Sequence, residues 1–433
     1  MATSPDPTET SMSLPPGLAL GWRQGLRYGL LGLPLAFVAL PLYVLLPNYY
    51  ARNFGVPLAG LGLLLLGARL FDAVLDPLLG RWADALFARS HKHVLVCGAA
   101  AALLLGLSFG ALFFPPDTTL PFLWGWALAC LLLCYLAFSM LTILHQSWGA
   151  LLGGDALGRS RVVAFREGLG LLGVVLASLS PVLFGMPATV ALLGLALLLG
   201  CWAWSRSPRP LLSLATPQLS DRGAGLLAPW GSPAFRALLA VFMVNGIATA
   251  LPATLILFFV QDRLQAPPAM EAWFLGSYFL AAAFALAPWL RIVKRWGLER
   301  AWLAGMLMAV AVFAFAARLG PGDANAFLAV CVLSGMAMAA DLALPGALLA
   351  GVIARQSNEA SGRFFGWWNL ATKLNLALAA GLALPLLASF GYAPGSRSAE
   401  GLQALTWAYC LLPCALKLLA AVLLYFLLLR KSP

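Results

Sequence analysis

The sequence predicts an all-α membrane protein of twelve transmembrane helices arranged as two six-helix halves. Three observations carry that prediction. Of the 433 residues 62% are hydrophobic and only 10% charged, which excludes a soluble chain with a mostly polar surface. Twelve apolar runs are long enough to cross a bilayer at about 20 residues per span. The Lys and Arg residues fall mainly in alternate connections, the pattern that orients spans in a membrane.

The runs lie at about 28–51, 56–80, 94–114, 121–147, 162–184 and 187–205, then 237–260, 272–290, 301–317, 324–353, 364–390 and 402–429. Lipid leaves no partner for an open sheet edge, so each run is read as a helix. Residues 1–21, rich in Pro, Ser and Thr, lack a basic region followed by an apolar core and read as a disordered cytoplasmic tail. The halves are 22–205 and 237–433. Between them lies a cytoplasmic linker, 206–236, with Pro208, Pro210, Pro217, Asp221 and Pro229.

With both termini inside, 19 of the 27 Lys and Arg are cytoplasmic, against four outside: Arg52, Arg263, Arg318 and Arg397. This asymmetry supports twelve spans with both ends cytoplasmic and accounts for the net charge of +11 without nucleic acid; the Gly-, Ala- and Leu-rich composition with short loops suits a bacterial inner membrane. Membrane lipids and a small-molecule substrate are the expected partners, and the chain is expected to be a monomer. The basic connections GRWADALFARSHKHVLV and PWLRIVKRWGLERAWLAG follow the second and eighth spans, a weak internal repeat. Two related halves around a polar midplane are the architecture of the major facilitator transporters.

Ionisable residues inside a span cost about 2.5 to 3.5 kcal/mol each on insertion scales, so each demands a reason. The acids are Asp72, Asp76, Glu167 and Asp341; the bases are Arg69, Arg166, Lys373 and Lys417. In GARLFDAVLDPLLG, Arg69, Asp72 and Asp76 stand at i, i+3 and i+7, within about 60° on one helix face. Two poorly solvated carboxylates four residues apart repel when both are ionised, so the pair favours a proton or a metal cation. Rise per residue puts Lys373 at a similar depth to Asp72, with Ser139 within a few ångströms and Asp341 nearer the centre. A fixed salt-bridge network is the competing reading of these charges.

Arg166 and Glu167 near the inner end of span five suit either substrate contact or helix-end pairing. Asn369, one turn before Lys373, faces the same way and suits substrate or the lysine itself. Trp148, Trp367, Trp368 and Tyr43 are stacking candidates that packing equally explains. His145 and Gln146 stay open, and Lys417 is expected to snorkel or to pair with a lipid or an acid. The cysteine pairs Cys130/Cys134 and Cys410/Cys414 read as packing residues. No HExxH, Walker loop or nucleophile elbow occurs, so neither an enzyme, a resident cofactor or metal, nor ATP-driven transport is expected.

The stretch YVLLPNYYARNFGVPLAGLGLLLLGARLFDAVLDPLLGRWAD resembles the first two helices of the glycoside-pentoside-hexuronide:cation symporters, the melibiose permease family of the major facilitator superfamily. WGALLGGDALGRSRVVAFREGLGLLG and FGWWNLATKLNLALAAG extend the resemblance over most of the chain. It implies that Asp72 and Asp76 bind a coupling cation beside Lys373, that Ser139 lies near it, and that Arg166 contacts substrate. Leu75 stands where the sodium-using sugar permeases have Asn, so a proton is expected over sodium, which needs several oxygen ligands. Ala36 and Thr142 replace two sugar-reading acids of that family. An anionic or zwitterionic solute held by Arg166 and Asp341 is then as plausible as a sugar.

The expected function is cation-coupled, chiefly proton-coupled, secondary transport of a small polar solute by alternating access. Asp72, Asp76, Lys373 and Ser139 form the coupling set. Arg166, Asp341, Asn369, Trp148 and Thr142 are the substrate candidates, with Arg69 and Glu167 in the surrounding network. A lysolipid or other amphipath transporter, and a non-transporting scaffold or receptor on a transporter fold, are the alternatives.

Overall fold

The structure is a computed structural model that describes residues 21–56, 58–152, 154–210, 225–267, 269–356, 361–390, 392 and 398–430. The tail expected over 1–21, except Gly21, and the middle of the expected linker, 211–224, lie outside the described residues. Every regular element among the described residues is helical.

The first rod, α1, is broken into Trp22–Gly29, Gly32–Leu40, a π turn at Pro41–Leu45, and Leu46–Phe54. Pro34, Pro41 and Pro47 remove backbone donors along it, which explains the interruptions. Gly55, at φ 66°, ends it in the left-handed conformation that glycine adopts freely. Next come α2 (Leu58–Arg89), α3 (His91–Phe113) and α4 (Leu120–Leu151). The long run Ala156–Ser205 breaks at Gly185 between Pro181 and Pro187, giving α5 (Ala156–Pro181) and α6 (Leu183–Ser205).

The second set is α7 (Pro233–Arg263), α8 (Ala269–Trp296), α9 (Leu298–Ala316), α10 (Ala324–Ala354) and α11 (Ser361–Ser389), then α12 (Ala399–Leu429). Side-chain oxygens accept from the first turn at several helix starts: Ser90 for α3, Asp155 for α5, Ser232 for α7 and Ser398 for α12. Each such cap contributes about 1 kcal/mol. Nine helices among the described residues are long and apolar enough to cross a membrane. The broken α1, the charge-bearing α2 and α11 complete the twelve.

The described residues fall into two compact units. The first takes the described residues within 1–68, 81–222 and 353–362; the second takes those within 69–80, 223–352 and 363–433. The middle of α2 therefore groups with the second unit, not with its sequence neighbours.

Within the first unit α1 lies along the α5–α6 run, and α3 packs on α4. A Cβ on Gly29 would come 2.7 Å from the Phe165 carbonyl, so only glycine allows that approach. Tyr28 stacks on His145 at 4.3 Å, and its hydroxyl donates to the His145 carbonyl at 3.0 Å. Within the second unit α12 packs on α7 and α9, and Phe259 stacks on Tyr409 at 4.3 Å in a buried aromatic core with Phe274 and Phe327. Lipid tails are as apolar as these side chains, so close packing and internal hydrogen bonds hold such helices together.

Candidate functional site

The helix α2 shows how its sequence positions the site. Leu70, Phe71, Val74, Leu78 and Trp82 are exposed on an arc of about 120°. Asp72 and Asp76 lie on the opposite arc, only 2% and 0% exposed. An apolar face for lipid thus leaves the carboxylates pointing into protein.

α11 meets that buried face. A Cβ on Gly366 would lie 2.5 Å from the Asp76 carbonyl oxygen and 2.9 Å from Pro77 Cα, so glycine is required for backbone contact here. Two turns on and on the same face, Lys373 Nζ lies 2.6 Å from Asp72 Oδ2. It lies 2.9 Å from Asp76 Oδ1 and 2.8 Å from Oδ2. All three residues belong to the second unit. One ammonium thus contacts two buried carboxylates, and Arg69 stands one turn before Asp72 on the same helix.

Asn369, on the same face of α11, is half-buried, and Arg69 is exposed on its flank of α2. In the first unit Ser139 is buried on α4. Thr142 and Gln146, one turn apart on α4, are half-buried, and Thr142 Oγ1 and Gln146 Oε1 have no protein partner among the described residues. Arg166 bonds its own neighbour Glu167, at 3.0 Å through Nε and 2.5 Å through Nη2.

Two expectations need correction. Trp148 is no stacking surface for substrate: it is 1% exposed, packs edge-on against Trp204 and His91, and donates Nε1–H to the Pro208 carbonyl at 3.0 Å. Asp341, expected to hold substrate, has both carboxylate oxygens engaged by protein groups. Its Oδ1 accepts from Asn245 Nδ2 and Trp302 Nε1, both at 2.9 Å, and its Oδ2 accepts from Lys417 Nζ at 2.7 Å.

Lys417, buried in α12, therefore neither snorkels nor meets lipid; it pairs with an acid of α10. Asn245, Thr249 and Trp302 escaped the sequence reading. For Asn245 and Thr249 the signal was an amide and a hydroxyl at i and i+4 in the run AVFMVNGIATALPATLIL, while Trp302 carried no local signal. Among the described residues no group of three or more His, Cys, Asp or Glu side chains converges as a metal site.

Residues 27–431 match the family model described as MFS/sugar transport protein. The chain belongs to this family. It is accordingly a multi-pass membrane transporter by fold, not an enzyme. No curated protein matches its sequence. Among solved structures it is similar to a bacterial homologue of the iron transporter ferroportin in an outward-facing state, with TM-score 0.71 and 15% identity over 95% of this chain and 99% of that one. It is also similar to the major facilitator transporter FucP in the outward conformation, with TM-score 0.67 and 16% identity over 95% and 99%. A point variant of the E. coli fucose:proton symporter FucP gives 0.66 and 16% over 95% and 98%. At these identities the likeness is one of fold.

Proposed function

We propose that this transporter couples the movement of one cation, a proton, to the movement of a neutral polyhydroxylated solute of the sugar class, by alternating access. The observation that carries the coupling is the contact of one Lys373 ammonium with two buried carboxylates, Asp72 and Asp76, where a proton taken up by either acid competes with that ammonium. Leu75 between the acids supplies no oxygen for sodium. Fucose:proton symport by the fold neighbour FucP agrees with a proton, as does the family description with a sugar.

The solute class follows from which charges are already spent. Glu167 neutralises Arg166, and Lys417 neutralises Asp341, so the anionic or zwitterionic solute that the sequence left open loses both of its anchors. Thr142 Oγ1 and Gln146 Oε1, without protein partners, suit hydroxyl groups, and Asn369 adds an amide. A buried polar group without a partner costs about 1 to 3 kcal/mol, which a bound hydroxyl recovers. We place the chain in a bacterial inner membrane as a monomer, with both termini cytoplasmic as its Lys and Arg distribution supports.

The driving force is adequate. A potential of about 100 mV supplies roughly 2.3 kcal/mol per charge and one pH unit about 1.4 kcal/mol, together roughly 500-fold accumulation. The test is proton movement in liposomes on addition of pooled neutral sugars, organic anions or lysolipids. A signal with neutral sugars alone, lost in Asp72→Asn while solute exchange persists, is expected. A signal with anions or lysolipids alone overturns the solute class, and full accumulation by Asp72→Asn overturns the coupling role.

A further inference from the structure

A second charged cluster lies wholly within the second unit and joins α7, α9, α10 and α12. Lys417 Nζ donates to Asp341 Oδ2 at 2.7 Å, Asn245 Oδ1 at 2.9 Å and Thr249 Oγ1 at 3.1 Å. An ammonium has three N–H donors, and here each has an acceptor. Lys417 is buried and Asp341 partly so, with 4% and 11% of their side chains exposed. One lysine here meets one carboxylate.

Each oxygen facing the ammonium is also held by a bond that does not involve Lys417. Trp302 Nε1 and Asn245 Nδ2 grip Asp341 through Oδ1, leaving Oδ2 aimed at Nζ. The same Asn245 contact orients the amide so that its oxygen faces Nζ. The Thr249 hydroxyl lies 3.0 Å from the Asn245 backbone carbonyl and 3.2 Å from Asp341 Oδ2. A carboxylate, an amide and a hydroxyl therefore converge on one point independently of what occupies it, and a hard monovalent cation takes oxygen donors of these kinds. Spacings of 2.7 to 3.1 Å suit a cation the size of ammonium or potassium and are loose for sodium.

We infer that Asp341, Asn245 and Thr249 form a monovalent-cation site that the chain fills permanently with its own Lys417 ammonium. The second half thereby carries an internal, covalently tethered cation. Removing the Lys417 head group opens the site to an external cation of the same size.

The test is thermal unfolding of purified Lys417→Ala in ammonium, methylammonium, potassium, sodium and choline chlorides at equal ionic strength. Wild type run in parallel subtracts any response from Asp72 and Asp76. Ammonium at about 100 mM is expected to raise the Tm of Lys417→Ala over choline by roughly 2–4 °C beyond the wild-type response, with potassium ahead of sodium. Lys417→Ala/Asp341→Asn, which loses both charges, is expected to fold and to ignore the cation. Recovery of folded Lys417→Ala only when it is purified in ammonium also supports the site. Equal Tm in ammonium and choline, an equal response from the double variant, or failure of Lys417→Ala in every salt while the double variant folds each overturns it.

Discussion

Lys373 straddles the Asp76 carboxylate, 2.9 Å from Oδ1 and 2.8 Å from Oδ2. The same ammonium reaches Asp72, so one lysine contacts two buried acids. Removing one partner of a buried ion pair leaves an uncompensated charge and costs about 3–5 kcal/mol. Lys373→Met is expected to lower the unfolding temperature more than Asp76→Asn does, and Asp76→Asn placed on Lys373→Met should recover part of the loss. Thermal unfolding of the three variants measures this; an unchanged Lys373→Met would show that the contact carries no energy.

Gly366 permits the approach that brings Lys373 to Asp76. Gly366→Ala puts a methyl against the Asp76 and Pro77 backbone, where neither neighbour has a flexible end to move, and overpacking of this kind costs about 1–3 kcal/mol. Gly276 on α8 has open space at its Cβ position. Gly276→Ala is therefore expected to be neutral or stabilising by up to about 1 kcal/mol. Equal unfolding temperatures for the two variants would remove the steric argument.

Trp148→Phe keeps the ring packing and deletes the N–H donated to Pro208. A loss of about 1 kcal/mol is expected, with the solute concentration for half-maximal transport unchanged. A large rise in that concentration would return Trp148 to the substrate contacts.

Tyr392, between α11 and α12, donates its hydroxyl to Asp262. Burial, and then this bond to a carboxylate, push the Tyr392 hydroxyl above its ordinary value, which is about 10. Because the folded value exceeds the unfolded one, the associated stability is complete below pH of about 10 and is lost as pH rises toward the folded value. The difference in Tm between wild type and Tyr392→Phe should therefore be flat from pH 7 to about 9 and shrink above about 10. A difference that grows with alkalinity would contradict the assignment.

The number and character of the spans were legible because the bilayer imposes a length and a polarity on every crossing segment. The facing of Asp72 and Asp76 was legible too, since i and i+4 on a helix must share a face. The depth of Lys373 followed from rise per residue. Trp148 was misread because nothing in the local sequence separates a tryptophan that caps a distant carbonyl from one that faces a ligand. Asp341 was misread for a related reason: its partners come from α7, α9 and α12, tens of residues away on helices whose rotation about their axes no local pattern specifies.

Composition, span count and the facing of acids within one helix are consequences of the chain meeting lipid, and the sequence alone determined them. Which lysine neutralises which acid was decided only by tertiary structure, because that depends on how rods rotate and approach one another. Gly366 lets α11 touch α2 and hand Lys373 to Asp72 and Asp76, while the packing of α12 on α7 and α9 gives Lys417 to Asp341. The first arrangement gives one lysine to two carboxylates, and the second pairs one lysine with one carboxylate.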